Sequence, residues 1–401
     1  MSPQTGTVDT ATHAMSGEAP RQVVRVTRRE EVAEAIRAAA RDGLRVVPWG
    51  GGVALAHETA PARYDVALDL TGLDRIVEYD PEDYTLTAEC GATIATLRAA
   101  LAARGQELPL EAAQAARATL GGVLASDASG PRRLRFGAPH DRILGATFVT
   151  ADGTRVRSGG KVVKNVAGYG THRLLCGSRG GLAVMVEASL KLAPAPAVRV
   201  ALTYPADRGA LDNAGRWSFL PRLEPALVSV VDASLAPDLA SPGAPFAVVI
   251  GLEDDAAWVQ EQERAVIAAL GAPAARRDGN EASAVWQTLA DLEETAGPRL
   301  SFTTAANTPA ALAPLAAVGA PVRCVFHAPA GRLHIFAAAA DAEDLARELA
   351  GHGFTMTGAR GWNPAPPAGR SGVLALRARI RAALDPAGTL ALGEAWAAGV
   401  R

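Results

Sequence analysis

The 401-residue sequence contains little cysteine, lysine or aromatic side chain. Its three cysteines, Cys90, Cys176 and Cys324, are spaced neither as a disulfide framework nor as a Cys-x-x-Cys metal site. They do not form the cysteine pattern of an iron–sulfur cluster either. The small number of cysteines indicates a reducing, cytoplasmic compartment, and an iron–sulfur cluster that worked with this chain would belong to a partner.

The sequence also has no strong excess of charge and no long apolar run. Forty Lys and Arg residues stand against 42 Asp and Glu, a net charge of −2, so bulk electrostatics suggests no nucleic-acid or membrane-surface partner. No stretch of about 18 consecutive apolar residues predicts a transmembrane helix. Residues 1–19 lack the apolar core of a signal peptide and are predicted to be a disordered lead.

The length of 401 residues favours two domains and also allows three. The segment APAPAV (193–198) is a linker rich in proline and the best domain boundary. Before it, the Asp152-Gly153 turn between ILGATFVT and TRVRS predicts a β-hairpin. After it, several apolar strands and two helices predict a C-terminal α+β cap domain over 199–401 with an antiparallel sheet.

Three glycine-rich elements occur in the first half, at 48–52, 119–130 and 177–181. Consecutive backbone N–H groups in such loops form concave anion sites, and glycine lets a ligand approach the backbone closely. Each element alone is more typical of a tight turn. Together they favour a large ligand that contains phosphate.

The two common nucleotide motifs are absent. No Gly-x-Gly-x-x-Gly segment opens a helix. The Gly-Gly-Lys of 159–161 does not complete a P-loop, because Arg155 replaces its first glycine and Val162 replaces its Ser or Thr. A nucleotide-binding site in this chain must therefore be built without either of these two motifs.

Four segments carry a family resemblance: RVVPWGGG, ATLGGVLASDASGPRRLRFG, GGKVVKNVAGYG and LLCGSRGGLAVMVEASLKLAP. Their order resembles FAD-binding enzymes of the vanillyl-alcohol oxidase and p-cresol methylhydroxylase (PCMH) type. The resemblance covers residues 20–195 and implies an α+β fold whose PCMH-type FAD-binding domain has lobes at about 20–110 and 111–195. Residues 378–393 resemble the family's closing segment.

The resemblance also implies the cofactor contacts. Gly52 and Val53 stand where relatives with covalent flavin carry a histidine, so non-covalent FAD is implied. The implied cofactor-binding residues are Pro48, Trp49, Gly50, Gly51, Gly52, Val53, Thr119, Gly121, Gly122, Ser126, Ser129, Gly130, Gly177, Ser178, Gly180, Val184 and Val186.

Within that family the chain looks most like the FAD-binding subunits of glycolate-oxidase-type enzymes. This implies an oxidoreductase subunit that takes electrons from a small 2-hydroxy acid and passes them to a second flavin subunit and an iron–sulfur subunit, which could tie it to the inner membrane. Two alternatives remain: a self-sufficient FAD oxidoreductase with its substrate site in the cap, and a non-catalytic FAD-binding assembly subunit.

No catalytic residue and no metal site are predicted. His327 and His334 flank a predicted hairpin and could act as a base or as metal ligands, but two histidines without a carboxylate partner in the sequence are more typical of an ordinary hairpin. The cluster of Arg132, Arg133 and Arg135 could attract a carboxylate or an acidic partner, and it fits a plain surface equally well.

Overall fold

The computed structural model describes residues 9–58, 60–161, 169–295, 299–305, 308–316, 323–337, 342–360 and 371–393. These residues divide into two compact units. The first unit takes its described residues from Met1–Ser129, Gly137–Ala195 and Ala365–Arg401, and the second from Gly130–Phe136 and Pro196–Pro364. The division at Ala195 and Pro196 falls inside the predicted linker.

The strands are β1 Gln22–Arg25, β2 Val46–Trp49, β3 Val66–Asp69, β4 Ile76–Asp80, β5 Thr85–Glu89, β6 Gln106–Glu107, β7 Ile143–Thr150, β8 Arg155–Gly159, β9 Ala183–Lys191, β10 Ala193–Pro194, β11 Val198–Ala206, β12 Leu227–Asp232, β13 Phe246–Asp254, β14 Ala275–Asp278, β15 Arg299–Thr303, β16 Arg323–His327, β17 Arg332–Phe336 and β18 Thr355–Arg360. The α-helices are α1 Arg29–Arg41, α2 Ile94–Ala102, α3 Leu120–Ser126, α4 Arg133–Phe136, α5 Pro139–Arg142, α6 Thr171–Leu175, α7 Arg208–Asp212, α8 Ala256–Leu270, α9 Gly279–Thr295, α10 Ala342–Gly351 and α11 Ser371–Leu384.

The first unit has two main sheets, and the predicted lobe boundary at about 110 does not fall between them, because β4 and β5 belong to the same sheet as β7, β8 and β9. One is parallel, with strand order β1-β3-β2, and the other is antiparallel, with order β4-β5-β9-β7-β8. Helix α1 begins where the Glu31 carboxylate accepts hydrogen bonds from the backbone N–H groups of Thr27 and Arg28, and it buries Val32 and Ile36. The predicted hairpin is present as β7 and β8, with Gly153 at φ +79° in its turn.

The C-terminal segment joins the first unit, so the predicted cap boundaries of 199–401 are wrong at their C-terminal end. Leu390 pairs in parallel with Val46 at the edge of β2. The buried Asp385 carboxylate accepts hydrogen bonds from the backbone N–H groups of Thr389 and Leu390, at 2.8 and 2.9 Å. Leu390 is fully buried, and the burial of apolar residues in the first unit's core is what holds this segment there.

The predicted disordered lead is wrong for residues 9–19. Met15 is fully buried, and the Tyr64 hydroxyl donates a hydrogen bond to the His13 carbonyl oxygen at 2.9 Å. The His13 ring lies 5.0 Å from the Trp49 ring, centroid to centroid. Residues 1–8 lie outside the described part of the chain.

The second unit is built on one antiparallel eight-stranded sheet, in agreement with the predicted α+β cap. Its strand order is β14-β11-β13-β12-β16-β17-β15-β18. Sequence analysis missed α9, although Ala282, Val285 and Leu289 repeat at helical spacing and are buried against the sheet. Helix α9 matters for the chemistry of this unit because it carries Glu293.

In the part of the chain that the structure describes, the helices are too short or too polar to cross a membrane.

Candidate cofactor site

The three glycine-rich elements meet at one cavity in the first unit. Seven of the predicted cofactor-binding residues line it: Pro48, Gly50, Thr119, Gly121, Gly122, Gly180 and Val184. The remaining described lining residues are Leu70, Cys90, Ala125, Arg179, Ala183 and Met185. Segments that are far apart in the sequence thus form one site.

The first glycine element follows β2 and packs directly against the segment before α3. A Cβ added at Gly51 would lie 1.7 Å from the Arg117 carbonyl oxygen, and one added at Gly50 would lie 2.2 Å from Thr119 Oγ1. From the sequence, we expect these glycines to permit the close approach of a ligand. The structure shows that the protein's own chain already excludes a side chain at both positions.

The second element is a helix over most of its length, not the glycine loop that we expected. The Thr119 hydroxyl caps α3 by accepting a hydrogen bond from the Gly122 N–H at 3.2 Å. The Gly121 N–H donates to the Cys90 carbonyl oxygen at 2.7 Å. A Cβ added at Gly122 would meet only Thr119 Oγ1, at 3.2 Å, so Gly122 presents its open side to the space of the cavity.

The third element connects the other two. The backbone N–H groups of Gly177 and Arg179 donate to the carbonyl oxygens of Leu124 and Ala125, at 3.1 and 2.8 Å. Gly180 has φ +74°, and a Cβ there would lie 2.8 Å from Pro48 Cγ. Arg179 itself has φ +55°, a backbone conformation that costs a non-glycine residue of order 1–3 kcal/mol.

The other ten predicted residues do not line this cavity, and their role as cofactor contacts stays a prediction. Trp49 is buried beside His13. Val186 is fully buried, and the Ser178 hydroxyl donates to the Leu175 carbonyl oxygen at 2.8 Å. These ten are Trp49, Gly51, Gly52, Val53, Ser126, Ser129, Gly130, Gly177, Ser178 and Val186.

The described residues that line the cavity offer binding groups but no general base. Burial raises the pKa of the Cys90 thiol far above its usual value, so this side chain stays neutral and unreactive. Among the described lining residues, Arg179 has the one charged side chain. Arg179 was not among the predicted site residues, although a charged residue between Gly177 and Gly180 is itself a signal.

A second cluster of ionisable groups lies buried in the second unit. The Glu293 carboxylate is 3.1 Å from His327 Nε2 and 3.4 Å from His334 Nε2. On the other side of each ring, Nδ1 lies 2.9 Å from a serine hydroxyl: Ser229 beside His327 and Ser301 beside His334. Each serine is the cross-strand partner of its histidine, so the sheet register fixes both rings.

This cluster can hold a metal ion, since one ligand atom from each of Glu293, His327 and His334 lies within 4.8 Å of the others. Burial holds the pKa of His334 well below its usual value, which keeps this imidazole neutral as a metal ligand must be. Sequence analysis found the two histidines but not the carboxylate, because the helix that carries Glu293 was not predicted.

The arginine cluster after α3 is not a free basic surface. Arg132 is buried, and its Nη1 lies 3.1 Å from both carboxylate oxygens of Glu253. Arg135 lies 2.7 Å from the carboxylate of Asp254. These ion pairs hold residues 130–136 within the second unit, so Arg132 and Arg135 have structural partners.

Comparison with known proteins identifies a family for residues 20–159. A family model described as "FAD binding domain" matches residues 20–159. Residues 20–159 belong to this family. The resemblance drawn from the sequence motifs is therefore confirmed, and FAD is the cofactor of this domain.

Two curated relatives carry the names of enzymes that act on 2-hydroxy acids. The chain is 39% identical over 148 residues to glycolate oxidase subunit GlcE of Escherichia coli (strain K12), covering 36% of this chain and 42% of that protein. It is 32% identical over 172 residues to a D-lactate dehydrogenase of Archaeoglobus fulgidus, covering 43% and 38%. The matched region thus spans less than half of these relatives.

The fold extends beyond the matched sequence. An alkyldihydroxyacetonephosphate synthase structure superposes with a TM-score of 0.68 at 17% identity, over 94% of this chain and 77% of that one. At this identity the match shows the fold alone.

Proposed function

We propose that the chain is the FAD-binding subunit of a glycolate-oxidase-like 2-hydroxy-acid dehydrogenase complex. It holds FAD non-covalently in the cavity of the first unit and passes electrons to a second flavin subunit and an iron–sulfur subunit. The protein is cytoplasmic and reaches the inner membrane through its partners. The observation that carries the proposal is the convergence of the three glycine-rich elements on one cavity of an FAD binding domain.

The proposed division of labour follows from what lines the cavity. Oxidation of a 2-hydroxy acid removes a proton from its hydroxyl and a hydride from its carbon, and FAD supplies the hydride acceptor. The proton needs a base within hydrogen-bond reach. Neither Thr119 nor the neutral Cys90 thiol nor Arg179 is such a base, which supports a role in holding the cofactor while a partner completes the chemistry.

Anaerobic flavin reduction tests this proposal. We expect the FAD-loaded chain alone to be bleached by glycolate or D-lactate at least about a hundredfold more slowly than the same chain in a complex with its co-purifying subunits, because alignment of donor and flavin accounts for most of the rate. Rapid bleaching of the isolated chain would contradict the subunit role. No bleaching in either sample would favour the assembly subunit.

A self-sufficient oxidoreductase is the second candidate, and the Glu293–His327–His334 cluster favours it. The cluster places two imidazoles and a carboxylate together in the second unit, and these groups can bind a metal ion or accept a proton. In that case the isolated chain reduces its flavin rapidly, and His327→Gln and His334→Gln slow the reduction while the FAD content stays constant. Metal analysis of the same preparations shows whether the two histidines also bind an ion.

A further inference from the structure

The loop that contains Arg179 combines a backbone cost with a buried charge. Arg179 lies two residues after Gly177 (φ +77°) and directly before Gly180 (φ +74°), and it shares their positive φ. Glycine adopts this conformation without steric cost. An arginine here is strained by of order 1–3 kcal/mol, so its side chain must contribute something that glycine could not.

The side chain is held inside the protein by a carboxylate. The Arg179 side chain is 12% exposed, and its Nη1 contacts Oε2 of Glu58, whose side chain is 10% exposed. A buried ion pair seldom adds stability beyond what apolar residues of the same size would give. Stability alone therefore does not explain why a strained arginine and a buried glutamate occupy this place.

The position of Arg179 on the cavity supplies the explanation. It lines the same cavity as Gly50, Thr119 and Gly122, and the other described lining side chains are neutral. The two phosphates of FAD carry two negative charges, and burying them requires compensating charge or hydrogen bonds. A guanidinium has five N–H donors in a planar fork, so one arginine can contact a carboxylate and a phosphate together.

We propose that Arg179 binds a phosphate oxygen of FAD and that Glu58 positions its guanidinium for this contact. The inference rests on the proposed placement of FAD in this cavity. It assigns the diphosphate, rather than the flavin ring, to the part of the cavity beside residues 177–181. Arg179 is then a binding residue, and Glu58 is a positioning residue that acts through it.

The test compares the affinity of two ligands that differ in the diphosphate and adenosine. Apoprotein of the full chain is titrated with FAD and with riboflavin, and flavin fluorescence reports binding. In the Glu58→Gln/Arg179→Gln double variant, which removes both buried charges together, we expect the Kd for FAD to rise about ten- to a hundredfold. The Kd for riboflavin should change by less than about twofold, because riboflavin carries no phosphate.

Three controls separate binding from folding. Arg179→Lys, which keeps the charge but not the fork, should give an intermediate Kd for FAD. Arg29→Gln/Glu187→Gln removes another ion pair of the first unit that does not line the cavity and should leave FAD affinity unchanged. Thermal unfolding of each apoprotein shows that the variants are folded.

The outcomes distinguish this inference from the proposed function. Equal weakening of FAD and riboflavin in the double variant, or an unchanged Kd for FAD, would overturn the role of Arg179 while the first unit still binds FAD. A wild-type chain that binds neither ligand would overturn the proposed function itself, and the inference with it.

Discussion

Replacing Gly122 with valine is expected to abolish FAD binding while the chain stays folded. The Cβ would meet only Thr119 Oγ1, at 3.2 Å, and would otherwise extend into the cavity. Gly122 lies in α3, where valine has a higher helix propensity than glycine. We therefore expect at least about a hundredfold loss of FAD affinity with little change in the thermal unfolding of the apoprotein.

Two further variants make the Gly122 experiment specific. Gly122→Ala, which adds one methyl group, should weaken FAD binding less than valine does. Gly351→Val should have no effect on FAD affinity, because a Cβ at Gly351 meets no atom within 4 Å and the residue belongs to the second unit. An unchanged flavin content in Gly122→Val would mean that α3 does not contact the cofactor.

The Gly51→Ala variant is expected to lower the stability of the apoprotein, before any cofactor binds. Its Cβ would lie 1.7 Å from the Arg117 carbonyl oxygen and 2.6 Å from the Arg117 carbonyl carbon. A side chain can rotate to relieve such a clash, but these backbone atoms cannot. We expect the free energy of unfolding of the apoprotein to fall by about 3 kcal/mol, which is roughly 6–12 °C in Tm for a unit of this size.

Calorimetry of the apoproteins checks this expectation. Gly160→Ala is the matched control in the same unit, because a Cβ at Gly160 meets no atom within 4 Å, and it should unfold at the wild-type temperature. A Gly51→Ala apoprotein as stable as wild type would contradict the close packing of the first glycine element against residues 117–119. We therefore expect Gly51 to be needed for the stability of the fold and Gly122 to be needed for FAD binding.

Local sequence signals predicted much of this fold. The hairpin of β7 and β8, the boundary inside APAPAV and the antiparallel sheet of the second unit follow from turn residues, prolines and apolar strands. Helix α9 was also predictable, because its buried residues repeat at helical spacing. Because this helix was not predicted, Glu293 was not recognised as the carboxylate partner of His327 and His334.

The remaining features of the fold and of the candidate site depend on contacts between residues that are far apart in the sequence. The contact of Gly51 with Arg117 joins residues 66 apart, and no pattern within either segment indicates it. The parallel pairing of Leu390 with Val46 joins two residues that are far apart in the sequence. The three glycine elements could each be recognised from the sequence, but their meeting at one cavity, and the inclusion of Arg179 in it, depends on how the whole first unit packs.

Flavin release from the purified chain tests directly whether the first unit binds FAD non-covalently. We expect the purified protein to be yellow with up to one FAD per chain, acid or heat to transfer all the flavin to the soluble fraction, and the apoprotein to regain its spectrum with added FAD. Flavin that stays on the denatured chain would contradict non-covalent binding. A colourless protein that added FAD cannot restore would contradict the cofactor site itself.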